Sequence, residues 1–129
     1  MRGASGERRT MKKILIVDDE VDSRRMLKTF LEEIGHEIVE AEDGYEAVEK
    51  ALAEHPDLII MDMAMQLVDG VNSVKKMRLH PELIATPILA LTAFGSFYDN
   101  RAYTAGCTAV LHKPVDLDQL EPVIANYVT

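Results

Sequence analysis

Asp18-Asp19 and Asp62 each follow a run of large apolar residues, Ile14-Leu15-Ile16-Val17 before the pair and Leu58-Ile59-Ile60-Met61 before the single acid. Unbroken apolar runs of this length read as strands buried on both faces, as in a parallel sheet. In open α/β sheets, ligands bind in the crevice outside the carboxyl ends of the strands. Thr92 closes another run, Ile88 to Leu91, and Lys113 comes just after Thr108 to Leu111. Three carboxylates, a hydroxyl and an ammonium are therefore expected along one edge of one sheet.

Carboxylates crowded into one crevice repel. Two unit charges about 4 Å apart cost about 4 kcal/mol at an effective dielectric of about 20. That cost makes sense where a cation or proton enters. Carboxylate oxygens with room for waters suit Mg2+, a hard ion that takes about six oxygens and sheds its waters reluctantly. With the Lys113 ammonium and the Thr92 hydroxyl, the set matches what a transferring phosphoryl group needs to spread its equatorial charge. Asp62, on the central strand, is then the natural nucleophile, giving an aspartyl phosphate. Each piece alone has a plainer reading. An acidic pair after a strand commonly caps a helix, a single Asp ends many turns, and Lys-Pro is a frequent loop dipeptide. The joint order, with each group at a strand end, favours the chemical reading.

The elements that must position these groups follow from periodicity. Strands are expected over Lys12 to Val17, His36 to Glu40, Leu58 to Asp62, Ile88 to Leu91 and Thr108 to Leu111. The first helix carries Leu27, Phe30, Leu31 and Ile34 at helical spacing and stops at Gly35. The second buries Ala47, Val48, Ala51 and Leu52; the third turns Val71, Val74 and Met77 inward and ends near His80-Pro81. A fourth is expected over Tyr98 to Ala105, and Asp116 caps a fifth with Leu117, Leu120, Ile124 and Tyr127 on one face. Five strands alternating with five helices specify an α/β fold: a flavodoxin-like, doubly wound, five-stranded parallel sheet with right-handed crossovers.

Composition bounds the rest. At 129 residues the chain is one domain able to form a core without staples. The net charge is −8; Arg2, Arg8 and Arg9 against Glu7 give the first ten residues +2, so residues 11–129 carry −10. So acidic a body repels nucleic acid, and no basic patch reverses that. The single cysteine, Cys107, excludes an internal disulfide and is expected in the core. No run approaches the roughly 20 apolar residues of a membrane helix, and the start lacks a secretion signal, so a cytoplasmic protein is expected. Residues 1–10 read as a disordered leader or tag, and 11–129 as the folded domain. His36, His55, His80 and His112 read as solvated surface residues, and Glu40, Glu42 and Asp43 as a solvated face.

The motifs Ile14-Leu-Ile-Val-Asp-Asp-Glu20, Asp57-Leu-Ile-Ile-Met-Asp62, Asp69-Gly70, Ala90-Leu-Thr92-Ala93, Gly106 and Lys113-Pro114 together resemble the receiver domain of two-component response regulators, in particular the single-domain, chemotaxis-regulator-like members. The resemblance spans about Lys12 to Val128. It implies Asp62 as phosphoacceptor, with Asp18, Asp19, Asp62 and the Ala64 backbone carbonyl holding Mg2+. It further implies Thr92 and Lys113 as phosphoryl contacts and a cis peptide between Lys113 and Pro114. The donor would be a phosphohistidine on a sensor histidine kinase or phosphotransfer protein, and the output a downstream protein target, a missing output domain, or a homodimer through the fourth helix, fifth strand and fifth helix. The chain would be a signalling switch that assists its own phosphorylation and dephosphorylation rather than an enzyme acting on other substrates.

Two positions depart from the family pattern, and two variable ones bear on the lifetime of the phosphorylated state. Gln66 stands where receivers usually have Pro, and Val110 where a switch aromatic is usual. Ala64 and Phe94, two beyond Asp62 and Thr92, offer no side chain to orient an attacking water, so a long-lived phosphorylated state is expected. A haloacid-dehalogenase-type phosphatase also uses an aspartyl phosphate with Mg2+, yet it needs an acid where Ala64 stands. A flavodoxin-like FMN binder needs a phosphate cradle where Asp18-Asp19-Glu20 would repel it. A pseudo-receiver would lack one of the five key side chains, and all are present.

Overall fold

The computed structural model describes residues 12–65, 69–93 and 95–128. The expected leader, Gln66 and Phe94 lie outside the described residues. The strands are β1 (Lys13–Val17), β2 (Glu37–Ala41), β3 (Leu58–Asp62), β4 (Ile88–Thr92) and β5 (Ala109–His112). Between and after them run α1 (Val21–Glu33), α2 (Gly44–Glu54), α3 (Gly70–Met77), a short 3-10 turn (Pro81–Leu83), α4 (Ser96–Ala105) and α5 (Leu117–Val128).

All neighbouring strands are parallel, in the order β2-β1-β3-β4-β5. The chain leaves β1 toward β2 and returns on the other side to β3, so the strand order reverses between β1 and β3. That reversal opens a crevice at their carboxyl ends. Val17 pairs with Met61, which sets Asp18 beside Asp62 at its mouth.

Both faces of the sheet are covered, and this is why the strands read as unbroken apolar runs. Leu15, Val17, Ile59, Met61, Ile88 and Ala90 pack under α2, α3 and α4. Ile14, Ile16, Leu58, Ile60, Leu89 and Leu91 pack under α1 and α5. The helices differ in how deeply they are seated. α1 brings Leu27 and Leu31 into the core, α3 Val74 and Met77, and α5 Leu120 and Ile124; α2 buries Ala47 and Ala51 with Val48 and Leu52 packed against them, whereas α4 buries Ala102 and Ala105 with no large apolar side chain beside them.

Several element ends differ from the sequence reading. α1 stops at Glu33, so Ile34 lies past the helix and is exposed; the buried stripe is Arg24, Leu27 and Leu31. β2 and β5 each run one residue later, which makes His112 the last residue of β5. α4 starts two residues earlier, at Ser96, and α3 stops at Met77. Two of the histidines are only partly solvated: the His36 Nδ1 is buried without a hydrogen-bond partner, and the half-buried His112 bonds Asp99. Burial lowers the His36 pKa, with Glu121 opposing.

Two local features matter for the site. Gly70, the first residue of α3, lies against the backbone that follows Asp62: a Cβ there would stand 2.5 Å from Met63 Cα and 2.8 Å from the Asp62 carbonyl oxygen. At the opposite end of the sheet, Arg78 gathers the chain together. It donates to the carbonyls of Gly106 (2.9 Å), Leu83 (2.6 Å) and Thr86 (2.8 Å), just before β4 and β5 begin.

Candidate functional site

Asp18, Asp19 and Asp62 offer carboxylate oxygens that all lie within 4.8 Å of one another. Asp18 and Asp62 are buried and Asp19 is exposed. Asp62 is the focus: its Oδ1 accepts from Lys113 Nζ at 2.8 Å and from the Ala64 backbone amide at 3.0 Å. Lys113 reaches it from the loop after β5, and its backbone amide is tied to the Thr92 carbonyl at 2.8 Å. The Lys113-Pro114 peptide is cis.

Asp18 carries the electrostatic strain of the cluster. Burial pushes its carboxyl up to about 6, and the nearby Asp62 adds to this, while a hydrogen bond from the Glu20 amide and the Lys113 charge work the other way. Burial and the neighbouring carboxylate both disfavour the charged form of Asp18, and the three acids outnumber the Lys113 ammonium that faces them. An all-oxygen donor set with this deficit fits a hard divalent cation such as Mg2+.

Two cavities flank Asp62. One of about 330 Å3 is lined by Asp18, Glu20, Leu91 and Lys113 among others. The other, of about 220 Å3, is lined by Ala64, Asp69, Thr92, Tyr98 and Arg101 among others. The carboxylates and Lys113 are thus drawn together, while Thr92 sits in the second cavity with Ala64. Its hydroxyl donates to the Ala93 carbonyl at 3.0 Å.

Charged residues passed over in the sequence hold the acidic loop in place. Arg24, buried in α1, donates to the Asp18 carbonyl at 2.8 Å and pairs with Glu40 at 3.0 Å. Lys28 joins the same Glu40 carboxylate at 3.2 Å. Burial pushes Glu40 up, but the hydrogen bonds from Lys28 and Arg24 outweigh it and hold its pKa low. Glu40 is therefore a buttress rather than part of a solvated face, and Asp43 caps α2 by accepting from the Glu46 amide. The usable signal for Arg24 was its spacing, three and seven residues before Leu27 and Leu31. Cys107 is buried in the core, as expected, and burial raises its thiol to about 11.

The family model for the response regulator receiver domain matches residues 14–125. The chain belongs to that family. Curated relatives include the polar-differentiation response regulator DivK of Brucella ovis, 32% identical over 90% of this chain and 95% of that protein. The probable transcriptional regulator ycf27 of Cyanophora paradoxa is 39% identical over 89% of this chain, which spans only 47% of its length. Among solved structures, the chemotaxis protein CheY4 of Vibrio cholerae aligns over 91% of this chain and 98% of its own, with TM-score 0.86 and 33% identity. The receiver domain of the sensor histidine kinase PA1611 of Pseudomonas aeruginosa, solved with a magnesium ion coordinated in its active site cleft, aligns over 91% and 97% with TM-score 0.84 and 26% identity. The chain is accordingly a phosphorylation-activated switch of two-component signalling, and nothing supports the phosphatase reading. Among the described residues no helix is long and apolar enough to cross a membrane.

Proposed function

We propose that this receiver accepts a phosphoryl group on Asp62 from a phosphohistidine of a sensor kinase or phosphotransfer protein. The observation that carries this is the bidding for one buried carboxylate: Lys113 and the Ala64 amide hold Asp62 Oδ1 while two more carboxylates close on it. Neither contact uses Oδ2, which we assign as the attacking atom. The donor N–P bond breaks as the O–P bond to Oδ2 forms, and the imidazole leaves with the electron pair.

Asp18, Asp19, Asp62 and the Ala64 carbonyl would hold Mg2+, which when bound offsets the charge on the phosphoryl oxygens. Lys113 neutralises charge from the other side, and Thr92 can turn its hydroxyl from Ala93 to a phosphoryl oxygen. Ala64 carries no polar side-chain atom with which to steer water onto the phosphorus. On this reading the site assists its own phosphorylation and dephosphorylation and does not turn over other substrates. We assign the chain to the cytoplasm, with residues 11–129 as the receiver. Its output would pass to a protein target or a separate output domain, or to a second copy through α4, β5 and α5.

Incubation with a small acyl phosphate and Mg2+, followed by mass spectrometry, tests the acceptor. The wild type gains one phosphoryl mass and Asp62→Asn does not. Equal labelling of both overturns the assignment.

A further inference from the structure

α4 is held to the sheet unlike its neighbours. Its buried side chains are two alanines, and its large residues Phe97, Tyr98 and Tyr103 are all exposed. Elements with few buried apolar contacts open at low cost, so polar contacts decide where such a helix rests. One such contact stands out: the His112 Nε2 lies 2.9 Å and 3.2 Å from the two Asp99 carboxylate oxygens. An ionised carboxylate only accepts, so Nε2 is the donor.

The strand end of this link adjoins the site. Thr92 and His112 are register partners across β4 and β5. Partners in a parallel pair project to the same face, about 4.8 Å apart. Lys113, the next residue, bonds Asp62 through its ammonium and Thr92 through its amide. His112 is therefore fastened to both groups that would contact a phosphoryl oxygen, and through Asp99 to the first turn of α4. Val110, two residues earlier on the same face, has no polar atom to make such a link.

We propose that the His112–Asp99 hydrogen bond is the link that transmits the state of the site to α4, with His112 and Asp99 acting as positioning residues. This rests on the phosphoacceptor reading above. When the Thr92 hydroxyl leaves the Ala93 carbonyl and Lys113 follows the phosphoryl group, the end of β5 shifts and Asp99 carries the shift into α4. The aromatic surface of α4 is displaced with it.

Amide hydrogen exchange of the full chain, with Mg2+ alone and with Mg2+ plus beryllofluoride as the phosphoryl mimic, tests the link. In the wild type the mimic alters exchange at Thr92 and Ala93 and throughout α4. In His112→Ala and Asp99→Ala the Thr92 response persists, while α4 exchanges about fivefold faster without the mimic and no longer responds to it. His112→Gln, whose amide can still donate, retains the α4 response, and the double alanine variant is no worse than either single one. A normal Thr92 response with a full α4 response in both single variants overturns the link alone. No response at Thr92 in the wild type overturns the phosphoacceptor reading and the link with it.

Discussion

Gly70→Ala tests how closely the acceptor loop depends on the entry to α3. The new Cβ would stand 2.5 Å from Met63 Cα and 2.8 Å from the Asp62 carbonyl oxygen. Ordinary contacts begin near 3.4 Å, so a gap of nearly 1 Å must open against backbone that cannot rotate aside. Overpacking of this kind costs about 3 kcal/mol, of which about 1 kcal/mol is recovered because alanine suits a helix better than glycine. The net loss of about 2 kcal/mol corresponds to a fall in Tm of about 8 °C for a domain of this size. The Met63–Ala64 backbone that must yield also supplies the amide holding Asp62 Oδ1. Labelling by acyl phosphate is expected to slow by about tenfold or more, since displacements near 1 Å at a reacting group carry penalties of that order. Calorimetry and timed mass spectrometry read both effects. Met63→Ala in the same chain removes only the Sδ contact at 2.9 Å and rescues little. An unchanged Tm, or full rescue by Met63→Ala, would refute the reasoning.

Further outcomes follow from other contacts. Asp18 titrates near 6 in the folded protein against an ordinary value of 3.8. The folded state thus holds a proton that the unfolded chain has released, and metal-free stability falls as pH rises from about 4 through about 6. A divalent ion displaces that proton, so titration calorimetry should find Mg2+ affinity about tenfold weaker at pH 5 than at pH 7; a flat profile would contradict it. Arg78→Ala leaves the Leu83, Thr86 and Gly106 carbonyls without their donor and should cost about 2–4 kcal/mol in urea melts, with Arg78→Lys recovering only part because one ammonium cannot span three acceptors. With Ala64 beside Asp62, the separated phosphoprotein should keep its label for minutes or longer. Ala64→Asn should shorten that lifetime, and loss of the wild-type label within seconds would count against the reading.

Sequence carried most of the fold because the apolar runs are unbroken and each ends at a polar group. A strand buried on both faces leaves few other readings, and its end marks the edge where chemistry sits. Less was legible where a charged residue is used structurally. Arg24 occupies a core-facing position that pattern reading reserves for apolar side chains, yet its guanidinium supports the Asp18 loop. The His112–Asp99 contact depended on α4 starting at Ser96 and β5 ending at His112, and shifts of one or two residues at those ends hid it. Ile34 looked inward only because the helical count ran past the end of α1.

The Arg78 anchorage also shapes how motion can be distributed in the sheet. It ties the segments before β4 and β5 to one guanidinium, whereas at the opposite edge the ties run through the acceptor itself, from Lys113 to Asp62 and to the Thr92 carbonyl. A group that draws Lys113 away from Asp62 would therefore loosen one end of these two strands while the other end keeps its anchor.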